Sequence, residues 1–82
     1  MKVILTDLAK KQHKKLPKSE QRKINKKLIL LSVDSLAGKK LFGEFEDSRS
    51  LRAWPYRILY IIKEKKQEVW ITSILHRQGV YK

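Results

Sequence analysis

Apolar residues change their spacing twice along this chain, and each change marks a change of element. Val3-Ile4-Leu5 is a short apolar run closed by Thr6 and Asp7, both good caps, and predicts a brief first strand feeding a helix. In that helix Leu8, Ala9, Gln12 (through its stem) and Leu16 recur at helical spacing, while Lys10, Lys11, Lys14 and Lys15 take the remaining surface. Pro17 stops it and starts the next helix, because proline suits a first helical turn. The second helix extends to about Ser35. Its apolar face is Ile24, Leu28 and Leu31 with Leu30 and Val33, and its basic face is Lys18, Arg22, Lys23, Lys26 and Lys27. The two helices are expected to form a hairpin.

From Leu36 to Asp47 neither period persists, and Gly38, Gly43 and a cluster of charges predict a connecting loop. Arg49 to Trp54, Tyr56 to Lys63 and Glu68 to Arg77 then read as three strands, with Pro55 demanding a turn or bulge between the first two. The predicted class is α+β, in the order β-α-α-β-β-β. A short N-terminal strand and a two-helix hairpin precede a three-stranded antiparallel sheet, and the helices cover one sheet face and leave the other for function. The 82 residues make one domain, 1–82, with a small core.

Charge narrows the partners. Twenty Lys and Arg stand against eight Asp and Glu, a net +12, which implies a polyanionic partner such as nucleic acid or an acidic protein. Cysteine is absent, which removes disulfides, zinc thiolates and thiol nucleophiles and fits a reducing compartment. The first apolar run is too short for a signal peptide, and no segment approaches the roughly 18 apolar residues of a membrane span, so a cytoplasmic protein without a membrane partner is expected.

His13 and His76 are far apart and the carboxylates form no ligand-spaced cluster, so neither a metal nor a cofactor is expected. What remains is cationic and phenolic: Arg49, Arg52, Arg57, His76, Arg77 and Tyr81. Guanidinium groups stabilise charge on phosphorus oxygens, so this set suits phosphodiester chemistry. Arg57 is the most informative member, because it keeps a permanent charge inside an aromatic and β-branched strand. Its plainer reading is an ion pair with Glu44 or Glu68. If the last two strands pair around a five-residue loop, Arg57 sits opposite Leu75 and Arg77 lies one step further on the same face. A four-residue loop slips the register and turns Arg77 to the other face. Tyr56 and Tyr60 are expected to pack against the helices, and Trp54 and Trp70 to join the core or a partner contact. Lys23, Lys26 and Lys27, with Lys39, Lys40, Arg49 and Arg52, are candidate RNA contacts.

Leu51-Arg52-x-x-x-Tyr56-Arg57-Ile58-x-Tyr60, followed by Ile74-x-His76-Arg77-x-x-Val80-Tyr81, resembles the RelE/ParE superfamily of toxins. The Leu16-Pro17 joint and the Leu41-x-Gly43 loop fit the same pattern, so the resemblance covers almost the whole chain. It implies a toxin held inactive by a cognate antitoxin. The RelE-like branch, favoured here, implies a metal-independent endoribonuclease that cuts messenger RNA on the ribosome by attack of a 2′-hydroxyl, giving a 2′,3′-cyclic end. By the resemblance, Arg57 steadies the scissile phosphate, Arg77 lies near the leaving 5′-oxygen and Tyr81 stacks on a base. His76 takes a position often basic in relatives and is a candidate general acid or base. The chain departs from ribosome-dependent relatives at Ser48 and Ser50, where they carry a lysine pair, so the general base is unassigned. The alternatives are a ParE-like toxin that inhibits DNA gyrase without nuclease activity, and a catalytically degenerate member that binds RNA or antitoxin.

Overall fold

The structure, a computed structural model, describes residues 1–41 and 48–77. Its elements are β1 (Lys2–Leu5), α1 (Asp7–Lys14), α2 (Lys18–Val33), β2 (Lys39–Lys40), β3 (Arg49–Ala53), β4 (Tyr56–Lys63) and β5 (Glu68–His76), with one 3-10 turn at Glu64–Lys66. The α+β class and the helix hairpin match expectation, but the sheet has five strands rather than three, in the order β1-β5-β4-β3-β2. β1 runs parallel to β5, with Val3 beside Val69, and the other pairs are antiparallel. The brief first strand was expected but its place in this sheet was not, and β2 was not expected as a strand at all. The partner of β1 lies more than sixty positions away. β2 is two lysines, without the apolar alternation that marks a strand.

Thr6 caps α1, its Oγ1 accepting from the Ala9 N–H at 3.3 Å. The buried stripe of α2 is Ile24, Leu28 and Leu31, spaced i, i+4, i+7. Leu30 and Val33 were expected on that stripe but fall to its side, and Val33 is 80% exposed. Leu8 is likewise displaced, exposed beyond the face through which Ala9 is buried. Ala9, Ile24 and Leu31 meet Leu51 and Ala53 of β3, Ile58 and Tyr60 of β4, and Val69, Ile71 and Ile74 of β5 in one core.

The β4–β5 hairpin decides which side chains share a face. At its loop Lys63 pairs with Glu68, leaving four residues between them; further along, Arg57 pairs with Leu75. These belong to two registers, joined at a bulge where Leu59 faces Ser73 and Tyr60 faces Ile71, so that Thr72 is the extra residue. The loop is therefore the four-residue one, yet the Arg57–Leu75 pairing of the five-residue alternative is kept. A bulge frees backbone groups, and α1 satisfies them here. Thr6 Oγ1 donates to the carbonyls of Ile71 (3.0 Å) and Thr72 (3.2 Å), and Gln12 Oε1 accepts from the Ile74 N–H at 2.6 Å. Beyond the bulge Ile74 returns to the core and Leu75 to the opposite face.

Candidate functional site

Alternation along β4 puts Tyr56, Ile58 and Tyr60 under the helices and Arg57, Leu59 and Ile61 on the uncovered face. On β3, Arg52 lies directly opposite Arg57. Like charges directly opposite each other across antiparallel strands repel, so both guanidinium groups favour an anion on this face. Ser50, opposite Leu59, is on the same face; its hydroxyl is buried and has no hydrogen-bond partner among the described residues. A cleft of about 520 Å³ collects these groups: Arg52, Arg57 and Ser50 line it together with Lys39 and Lys40 of β2. The cleft thus collects four cationic side chains and one buried hydroxyl that has no partner among the described residues.

β2 is held at this cleft from behind. The Tyr60 hydroxyl, in the core, donates to the Ser35 carbonyl at 2.8 Å and accepts from the Gly38 N–H at 2.9 Å, next to Lys39. Burial raises the Tyr60 phenol above its ordinary 10.0, against the opposing influence of the Gly38 bond and the Arg49 charge. Gly38 has to be glycine for room: a Cβ there would stand 2.7 Å from the Tyr60 hydroxyl and 2.9 Å from the Ser50 carbonyl. Arg49 belongs to this support rather than to the cleft, since it lies opposite Tyr60 and its Nη1 donates to the Gly38 carbonyl at 2.9 Å.

The remaining candidates lie elsewhere. His76 pairs with Tyr56 and sets its ring edge-on to the phenol at 5.3 Å, which places it on the helix-side face, away from Arg57. Arg77 follows the last strand residue, and its guanidinium lies 4.8 Å over the ring of Trp54. Lys23, Lys26 and Lys27 gather beside the same indole, in a second groove. Tyr81 and Glu44 lie outside the described residues. Glu68 is at the far end of the hairpin, paired with Lys63 and accepting from Trp70 Nε1 at 3.0 Å, so it is not the partner of Arg57. Neither tryptophan is fully buried, and Trp54 is 56% exposed. Among the described residues no three His, Asp or Glu side chains form a metal-binding group, and no helix is long and apolar enough to cross a membrane.

What sequence reasoning missed was the weight of Arg52 and Ser50. The i, i+2 spacing of Ser50 and Arg52 already put them on one face of a strand; their alignment with Arg57 needed the register.

The chain is matched from residue 3 to residue 81 by the family model of the ParE toxin of type II toxin-antitoxin systems. Its structure is similar to the RelBE2 toxin-antitoxin complex from Mycobacterium tuberculosis, at 31% identity over 93% of this chain and 96% of that chain, with a TM-score of 0.86. It is also similar to the isolated RelE toxin of E. coli, at 25% identity over 92% of this chain and 82% of that chain, TM-score 0.77. The archaeal RelE–RelB complex from Pyrococcus horikoshii shares the fold at 23% identity over 93% of each chain, TM-score 0.72. No curated protein matches the chain. With a mixed sheet under a helix hairpin and a cationic cleft on its margin, the protein belongs to the RelE/ParE superfamily of toxins of type II toxin-antitoxin systems.

Proposed function

We propose that this toxin is a ribosome-dependent endoribonuclease whose Arg52–Arg57 cleft receives the scissile phosphate of messenger RNA, and that a cognate antitoxin masks this cleft. The observation that carries the reading is the opposed Arg52–Arg57 pair beside the unsatisfied Ser50 hydroxyl. The guanidinium groups of such a pair strengthen their hold as charge grows on the phosphorus oxygens. In the step itself the ribose 2′-oxygen forms a bond to phosphorus as the bond to the 5′-oxygen breaks. The 2′-proton leaves to a base and the 5′-oxygen is protonated, giving a 2′,3′-cyclic phosphate and a 5′-hydroxyl. Arg57 and Arg52 hold the phosphate, and Lys39 and Lys40 draw the strand into the cleft. By resemblance to the family, Tyr81 stacks on a base to align the 2′-hydroxyl, while Arg77, expected near the leaving 5′-oxygen, lies on Trp54 outside the cleft. The solved relatives bound to RelB support an antitoxin as partner. Ribosomes stalled on a defined message, incubated with the protein, test the reading: RNA fragments ending in a 2′,3′-cyclic phosphate are expected.

One observation favours a second reading. The matching family model is that of ParE toxins. A ParE-like protein would leave message intact and inhibit supercoiling by DNA gyrase.

A further inference from the structure

We propose that the groove between Trp54 and α2 is a stacking site for one unpaired nucleotide of single-stranded RNA. It lies apart from the Arg52–Arg57 cleft, and it rests on the reading above only for the source of the RNA. Trp54 occupies the turn between β3 and β4 and is 56% exposed. An indole so placed contributes little to the core. Arg77 covers part of it, with the guanidinium carbon 4.8 Å from the ring, and the Arg77 N–H, donating to the Pro55 carbonyl at 2.7 Å, anchors that residue to the turn.

Beside the indole is a groove of about 340 Å³, within the size range of ligand clefts, about 300–1,000 Å³. Leu30, Ala53 and Trp54 line it with carbon, and Lys23, Lys26 and Lys27 bring three cations. The lysines and Leu30 are at i, i+3, i+4 and i+7 of α2, so one helix face supplies both the charges and an apolar wall. Lys23 shares its charge with Glu20 at 3.3 Å, whereas no carboxylate lies within ion-pair distance of Lys26 or Lys27 among the described residues.

An exposed aromatic face ringed by cations is what an unpaired nucleotide requires: the base stacks and the phosphates meet the charges. A guanidinium held over an indole still carries N–H donors for a phosphate oxygen, so Arg77 serves stack and backbone together. The displacement of Leu30 from the buried stripe of α2 acquires a purpose here. The competing occupant, an acidic peptide, would use the lysines but not the stacking geometry.

The test uses the full chain carrying Arg57→Ala, which removes the main phosphate contact of the first cleft, and Trp70→Phe, which leaves Trp54 as the one tryptophan. Its fluorescence is followed with a single-stranded oligoadenylate of about eight nucleotides, a duplex of equal length and a polyglutamate peptide. Saturable quenching by the single strand alone is expected. By anisotropy of labelled RNA in the Arg57→Ala chain, Trp54→Leu should weaken binding about 5- to 150-fold, the loss of one stack. Replacing Lys23, Lys26 and Lys27 by Gln should make the log–log salt slope shallower by about 2. Absence of quenching, equal binding of the duplex with no effect of Trp54→Leu, or quenching by polyglutamate in preference to RNA would overturn the proposal. Should Trp70→Phe fail to fold, the anisotropy series decides alone. Cleavage lost on ribosomes with quenching retained would remove the proposed function and leave this site standing, and the converse would remove only this site.

Discussion

Arg52 and Arg57 stand directly opposite each other on β3 and β4, two permanent charges paired across a sheet. Arg52→Ala should therefore leave stability unchanged or raise it by up to about 0.5 kcal/mol in urea denaturation. The same change should weaken RNA binding by about tenfold or more, the loss of one charge-assisted contact. A variant that loses stability and binding together would mean that Arg52 has a structural task.

The bulge at Thr72 places Leu59 opposite Ser73, where an unbroken four-residue-loop register would place it opposite Thr72. The chain has no cysteine, so engineered pairs report the register without interference. Leu59→Cys with Ser73→Cys should oxidise readily to a disulfide. Failure of this pair to oxidise would mean the unbroken register, which turns Leu75 away from the Arg57 face.

Tyr60→Phe deletes the hydroxyl that joins Ser35 to Gly38, leaving the buried Gly38 N–H without its acceptor. A loss of about 1–3 kcal/mol is expected, with weaker RNA binding because Lys39 and Lys40 lose their support. Burial holds the folded phenol above its ordinary 10.0, so the proton is bound more tightly folded than unfolded. This contribution is full below pH 10 and is lost as pH rises through the higher folded value. Denaturation at about pH 8 and about pH 11 should show a fall in the parent that is smaller in Tyr60→Phe.

His76 lies on the helix-side face with its ring against Tyr56, on the side of the sheet opposite Arg57. Loss of a positioned general acid or base slows a reaction about 10²- to 10⁴-fold. His76→Ala should change the cleavage rate less than tenfold; a loss within the larger range would bring it back into the chemistry.

Much of this architecture was legible from the residues. Helices and central strands announce themselves by local period, and the Thr6 cap, the Pro17 joint, the Pro55 turn and the buried Tyr60 follow from local chemistry. Three features depend on distant partners and were not legible. The edge pairings of β1 and β2 are set by β5 and β3. The Thr72 bulge is stabilised by Thr6 and Gln12 from the first helix, and no periodicity within β5 announces it. The sorting of the arginines into cleft, support and stack follows from register. Arg49, Arg52, Arg57 and Arg77 looked alike in sequence, yet Arg49 holds Gly38 and Arg77 lies on Trp54, and only Arg52 and Arg57 share the cleft.

The central claim is most directly tested by primer extension on a message being translated in a cell-free system, with the parent protein and the Arg57→Ala variant side by side. The account predicts position-specific cuts within codons that appear with the parent and vanish with the variant. Intact message in both, with gyrase supercoiling blocked by the parent, would contradict it.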